Sequence, residues 1–287
     1  MNTLLFAYVV GLIPSLLLAH RLAARWGTRD PLVLAVPLSA LGSILVAAGS
    51  HNPALMFAGR MSTGVALGIG MVVGGLALDS LSTTSGRAPR ASAMSLTSGF
   101  AVGAGTAAPW IFGALGIAYA VLPPIVAAEL AGFDSAFSGL LCLLSLGLGF
   151  VAQRLVGRTP RRSGPTRAIG LTLFVVGTLA AAVAAATASV WLVVVAASVL
   201  GIGYGLTLVG CLRDCERSAP PGRLGTMTGR IYCLGYLGFG LPTAIAWLHS
   251  SFAIGTTTSL LWVAAAAVAT NVAAAVILGI TRRTHAG

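Results

Sequence analysis

The chain has 287 residues, 57% of them hydrophobic, and a mean hydropathy of +0.94. Only 8% are charged, against about a quarter in a soluble domain, so a soluble core is excluded and a polytopic membrane protein fits. The net charge of +11 comes from arginine alone, for there is no lysine; the arginines lie in short breaks between apolar runs, which fits an anionic membrane leaflet and not nucleic acid.

A spanning helix needs about 20 apolar residues. Runs near that length fall at 3–19, 32–49, 54–78, 91–107, 109–128, 135–153, 168–187, 190–212, 231–248 and 256–280. These ten segments predict an all-α protein of nine or ten transmembrane helices with no soluble domain. No positive charge precedes the first run and arginines follow it, so it reads as a retained helix and not a cleaved signal. The arginines then fall in alternate breaks: Arg21, Arg25 and Arg29; Arg87 and Arg90; Arg154, Arg158, Arg161, Arg162 and Arg167; Arg213, Arg217, Arg223 and Arg230; Arg282 and Arg283. The intervening breaks, "GSHNP", "ELAGFDS", "TAS" and "HSSFAIG", hold none. By the positive-inside rule the basic breaks and the C-terminus are cytoplasmic. Arginine without lysine, with abundant alanine and glycine, points to a GC-rich bacterial genome and an inner-membrane protein.

One stretch conflicts with that topology. The apolar run 91–128 is 38 residues, about 57 Å as helix, which is long for one span and right for two. Two spans there would put the breaks 79–90 and 154–167 on opposite sides of the membrane, although both are basic.

The first basic patch recurs. "AHRLAARWGTR" at 19–29 matches "AQRLVGRTPRR" at 152–162 through Ala19, Arg21, Leu22, Arg25 and Arg29 against Ala152, Arg154, Leu155, Arg158 and Arg162, an offset of 133. "LGIG" at 67–70 returns at 200–203 with the same offset. "GR" at 86–87 and 222–223, followed by Gly99-Phe100 and Gly235-Tyr236, gives a third match at an offset of 136. Parallel helical repeats of this kind occur in secondary transporters.

"LLLAHRLAARWGTRDPLVL" resembles the loop between the second and third helices of the major facilitator superfamily, G-x-L-a-D-R-x-G-R-R, at Leu22, Arg25, Gly27 and Arg29, and departs from it at His20, Ala24 and Thr28. "AGRMSTGVALGIG" is similar to that family's fourth-helix pattern through Arg60 and Gly64, and "SGFAVGAG" to the glycine-rich fifth helix of its drug-efflux branch through Gly99 and Gly103. Residues 119–158 resemble the seventh and eighth helices. The resemblance implies a shortened member lacking counterparts of helices one and six, with an N-terminal set at 1–107 (helices two to five) and a C-terminal set at 108–287 (helices seven to twelve). It implies transport of a small molecule by alternating access, export in direction and proton-coupled. The alternatives are a non-transporting remnant or scaffold and an uncoupled sugar or metabolite facilitator.

Arg60 is the one arginine outside the basic breaks, about 10 Å into its helix. An intramembrane arginine is a functional-site candidate; the plainer reading is snorkelling to the interface. The resemblance gives it a part in substrate binding or proton coupling, with Glu129 and Asp134 as candidate partners. Tyr119, Tyr204, Tyr232 and Tyr236 fall where the resemblance places a central cavity, and Tyr204, Thr207 and Cys211 share one helix face; helix packing with hydroxyls bonded to backbone is the plainer reading. The loop residues Arg21, Arg25, Gly27, Arg29, Arg154, Arg158 and Arg162 are expected to gate the cytoplasmic side, by resemblance, though Ala24 stands where the latch takes Asp. The cysteines Cys142, Cys211, Cys215 and Cys233 form no metal-binding pattern, and no histidine meets a nucleophile at catalytic spacing. Neither an enzyme, a cofactor nor a metal site is expected. The partners expected are the lipid bilayer, a small-molecule substrate and protons, and the chain is expected to be a monomer.

Overall fold

The computed structural model describes residues 2–49, 52–83, 93–130, 132–157, 163–220 and 223–284. They form α1 (Asn2–Trp26), α2 (Arg29–Ala48), α3 (Pro53–Thr83), α4 (Ala93–Gly116), a π-helical turn (Ile117–Val121), α5 (Leu122–Ile125), a 3₁₀ turn (Ala127–Glu129), α6 (Asp134–Gly157), α7 (Ser163–Thr187), α8 (Val190–Ser218), α9 (Leu224–Leu237), α10 (Gly240–Phe252) and α11 (Thr256–Thr284). No strand occurs among the described residues. This is how an apolar chain satisfies its backbone where there is no water: beyond the first turn of each helix, the N–H groups are bonded within the helix itself. Hydroxyls follow the same rule, as when Thr178 donates to the Phe174 carbonyl and Ser198 to that of Val194.

Nine helical stretches among the described residues are long and apolar enough to span a membrane. Their outer faces are greasy: Val36 and Leu143 are 71% and 72% exposed, a surface that lipid and not water would cover. Trp26 at the end of α1 and Trp191 at the start of α8 stand exposed at helix ends, where amphipathic rings meet the headgroups. The described residues are thus all-α, with the long apolar helices of a polytopic membrane protein.

The ten segments read from sequence reduce to nine. Segments 91–107 and 109–128 are one helical run, whose span is the single stretch Val102–Ile125. Pro109 does not end α4, and the π-helical turn carries the helix on through Tyr119. A single span here, in place of two, is what the alternation of arginine-rich breaks along the sequence calls for. The last-but-one span is interrupted instead: α9 and α10 form one stretch, Leu224–Phe252, broken at Gly238 and Phe239.

Two compact units divide the chain, residues 1–97 with 215–236 and residues 98–214 with 237–287. Position 107 falls inside α4. In the first unit α3 packs on α1 and α2, and in the second α7 packs on α11. The sequence repeat has a structural counterpart within the units. Gly68 of the first "LGIG" leaves room for Ser15 of α1, whose hydroxyl donates to the Leu12 carbonyl at 2.8 Å. Gly201 of the second leaves room for Ser145 of α6, whose hydroxyl donates to the Leu141 carbonyl at 2.8 Å. A second crossing repeats as well. Gly42 of α2 faces Gly59 and Thr63 of α3, while Gly170 of α7 faces Gly203 and Thr207 of α8. In each, the threonine bonds back to the glycine four residues before it, at 3.2 and 2.8 Å. Small-x-x-x-small spacing lets backbones approach in this way.

Candidate functional site

In the first unit, Gly11, Gly64 and Gly68 bring α1 and α3 together, because a Cβ at any of them would collide with Met61, Tyr8 or Ser15. That approach sets Tyr8 beside α3. The Tyr8 and Tyr236 rings lie 6.1 Å apart at 59°, and the Tyr8 carbonyl lies against Gly64, one helical turn along α3 from Arg60. The Tyr236 hydroxyl reaches the Met71 sulfur at 3.9 Å, and Cys233 Sγ contacts the Ile13 carbonyl at 3.9 Å. Arg60 is exposed on α3. The unit therefore carries a polar strip of Arg60, Tyr8 and Tyr236, with Tyr232 half-buried one turn from Tyr236 on α9.

The second unit carries an aromatic chain. Phe112 of α4 stacks on Phe239, the residue at the α9–α10 break, with centroids 5.4 Å apart and planes at 27°. Tyr119 in the π-helical turn joins Phe239 at 6.2 Å, and Tyr204 of α8 joins Phe112 at 6.0 Å. Gln153 of α6 acts on the Tyr204 hydroxyl. The π-helical turn matters here: the extra residue it inserts re-aims the side chains after it. Gly116 leaves room for Pro242, whose ring a Cβ would approach to 3.0 Å.

At the other end of this unit Arg167 of α7 forms an ion pair with Asp214 of α8. Each side chain is only 16% exposed. The guanidinium lies over Gly103 of α4, and the Arg167 backbone lies against Gly210 of α8. Arg213 donates from Nη2 to the Val156 carbonyl at 2.7 Å, tying α8 to the end of α6. Cys211 Sγ meets the Ala104 carbonyl at 3.9 Å.

The residues singled out from sequence thus separate into two groups. Arg60, Tyr232 and Tyr236 belong to the first unit, and Tyr119, Glu129, Tyr204 and Thr207 to the second. Thr207 is 2% exposed and packs on Gly170. Glu129 is exposed on its 3₁₀ turn. Arg21, Arg25, Gly27, Arg29 and Arg154 are exposed, Arg154 with its guanidinium 5.3 Å from the Phe150 ring. Gly27 has φ +76°, a left-handed turn that ends α1 and suits glycine. Arg158 and Arg162 lie outside the described residues. Among the described residues no three His, Cys, Asp or Glu side chains group as metal ligands, and the four cysteines are free.

Sequence reasoning missed Tyr8, Phe112, Phe239, Gln153 and the Arg167–Asp214 pair. The motif "GFG" at 238–240, an aromatic between two glycines, was the available signal for Phe239. Tyr8 had its position as the one tyrosine of the first span.

No protein-family model matches the chain, and no curated protein matches it. Among solved structures the fold is similar to that of a variant of the E. coli fucose:proton symporter, with a TM-score of 0.64 and 12% sequence identity, covering 95% of this chain and 89% of the other. At 12% identity the likeness is one of fold.

Proposed function

We propose that the chain carries a small molecule across the bacterial inner membrane by alternating access, with its basic breaks on the cytoplasmic side. The observation that supports this best is the fold likeness to a proton-coupled sugar carrier over 95% of the chain. A rocking carrier needs two rigid helical sets and polar groups facing a central path. Each compact unit has its own tight glycine crossings and its own polar or aromatic group for that role. Export is the direction we propose, on the resemblance of Gly99 and Gly103 to the efflux branch.

Coupling is read from the carboxylates. Asp30, Glu129, Asp134 and Glu216 are exposed at or near helix ends, and Asp214 is held by Arg167. Among these described carboxylates none stands free in the middle of a span, whereas a proton-coupled carrier ordinarily needs one. This favours a second reading, an uncoupled facilitator, over proton antiport. Counterflow by the purified protein in proteoliposomes, with and without an imposed pH gradient, separates them. Flux that ignores the gradient identifies the facilitator, flux driven by it identifies the coupled carrier, and no flux from folded protein with any substrate identifies the scaffold. Ala24→Asp, which restores the family's latch residue on the first basic loop, should change the rate if that loop gates.

A further inference from the structure

Arg60 is the one arginine of its unit that departs from the basic breaks. It is the eighth residue of the span Pro53–Gly74, about 10 Å along α3 from its first residue, and its side chain is exposed. The first unit holds the carboxylates Asp30, Asp79 and Glu216. Asp79 is nineteen positions farther along α3, about 28 Å away. Asp30 opens α2 at the end opposite to the one joined to α3, and Glu216 is exposed near the end of α8. Among the described residues of this unit no ion pair engages Arg60. What stands near it is phenolic: Tyr8, whose carbonyl lies against Gly64 one helical turn along α3 from Arg60, and Tyr236 with its ring 6.1 Å from that of Tyr8.

A guanidinium kept in a membrane-spanning helix is costly, and such groups either pair within the protein or mark the path of a substrate or ion. Guanidinium offers a planar fork of donors that matches a carboxylate oxygen for oxygen. Phenol hydroxyls add donors for the same oxygens or for a hydroxyl next to them. The same positive charge disfavours a cationic guest.

We propose that Arg60, with Tyr8 and Tyr236 beside it, is an anchor for the carboxylate of a small organic anion, so that the cargo is an ionised carboxylic acid and not a neutral sugar or a cationic drug. The proposal rests on the transporter reading and names its substrate class.

The test pairs molecules that differ mainly in charge: gluconate against glucose, and glycerate against glycerol. Thermal stabilisation of the full chain in detergent reads binding, and uptake into proteoliposomes reads transport. Gluconate or glycerate should stabilise the wild type while glucose and glycerol do not. Arg60→Gln should weaken that binding by about tenfold or more, the scale of a lost charge-assisted contact, Arg60→Lys should retain part of it, and Tyr8→Phe should weaken it by less. Unchanged melting of the ligand-free variants shows that they fold. Carboxylates that fail to bind the wild type, or that bind Arg60→Gln equally well, overturn the proposal, as does preferential binding of the neutral partner. Uptake is judged separately: carboxylate binding without uptake of any compound leaves the anion site standing and sinks the transporter reading, whereas uptake of glucose or glycerol alone does the reverse.

Discussion

Arg60 and Arg167 both lie in spans, and the two units treat them in opposite ways. Arg167 sits between the Cβ-free surfaces of Gly103 and Gly210, and Asp214 neutralises it. Its cost is settled inside the unit, so the group serves as a strut between α7 and α8. Arg60 is exposed and lies one turn along α3 from Gly64, which packs on Tyr8, and no ion pair engages it among the described residues of its unit. The same side chain is therefore structural in one place and a candidate for binding in the other. The difference lies in the second charge, which sequence position alone does not show.

The sharpest way to break this contrast is to remove the second charge. Asp214→Asn leaves the Arg167 guanidinium buried without its counter-ion and should cost about 3 kcal/mol of stability, the low end for a buried pair because both side chains keep some exposure. Arg167→Gln combined with Asp214→Asn should be less damaging than the two losses added together, since the pair is removed whole. Detergent thermal melts of the two single variants and the double variant measure this. Strict additivity would show that the two groups do not act on each other.

A smaller effect separates the repeated glycine crossings. A Cβ at Gly201 would lie 2.6 Å from the Ser145 Cα, so backbone must move; Gly201→Ala should cost about 2 kcal/mol. At Gly68 the nearest atom is the Ser15 hydroxyl, which can rotate away, so Gly68→Ala should cost less. Gly147, with nothing within 4 Å of its Cβ position, should accept alanine without loss. Equal melting shifts at positions 68 and 201 would mean that the two units do not pack with different rigidity. Smaller still is Gly27→Ala in the first basic loop, about 1 kcal/mol for placing a Cβ at a left-handed φ. Its open surroundings make the cost one of backbone conformation alone, and Gly27→Asn, more tolerant of that region, should recover part of it.

Most of the fold was legible because lipid imposes a simple rule: long apolar runs become helices, and arginines mark the breaks. The repeat was legible for a related reason, since Gly68 and Gly201 are needed at equivalent crossings against Ser15 and Ser145. The stretch 91–128 was left between one span and two because composition does not reveal where a long helix leaves the membrane; α4 runs on through Pro109. Arg60 could be found because it alone departed from the arginine pattern. The Arg167–Asp214 pair could not. Its members lie 47 positions apart at the ends of different helices, and in sequence both look like loop charges. Phe112 and Phe239 were invisible among so many apolar residues; only a helix break and a π-helical turn make them neighbours of Tyr119 and Tyr204.

The smallest expected effect is the most discriminating. If Arg60 has no structural partner, Arg60→Gln removes an uncompensated charge and replaces it with a neutral side chain of similar reach. The ligand-free protein should then melt within about 0.5 kcal/mol of the wild type, the range of a substitution away from any packed or paired feature. A small rise is the favoured sign, because desolvation of the guanidinium opposes the folded state in the membrane. Asp214→Asn must move the other way. Should Arg60→Gln prove as destabilising as Asp214→Asn, Arg60 would be a strut like Arg167, paired within the folded protein, and its counter-ion would be part of the chain and not the cargo.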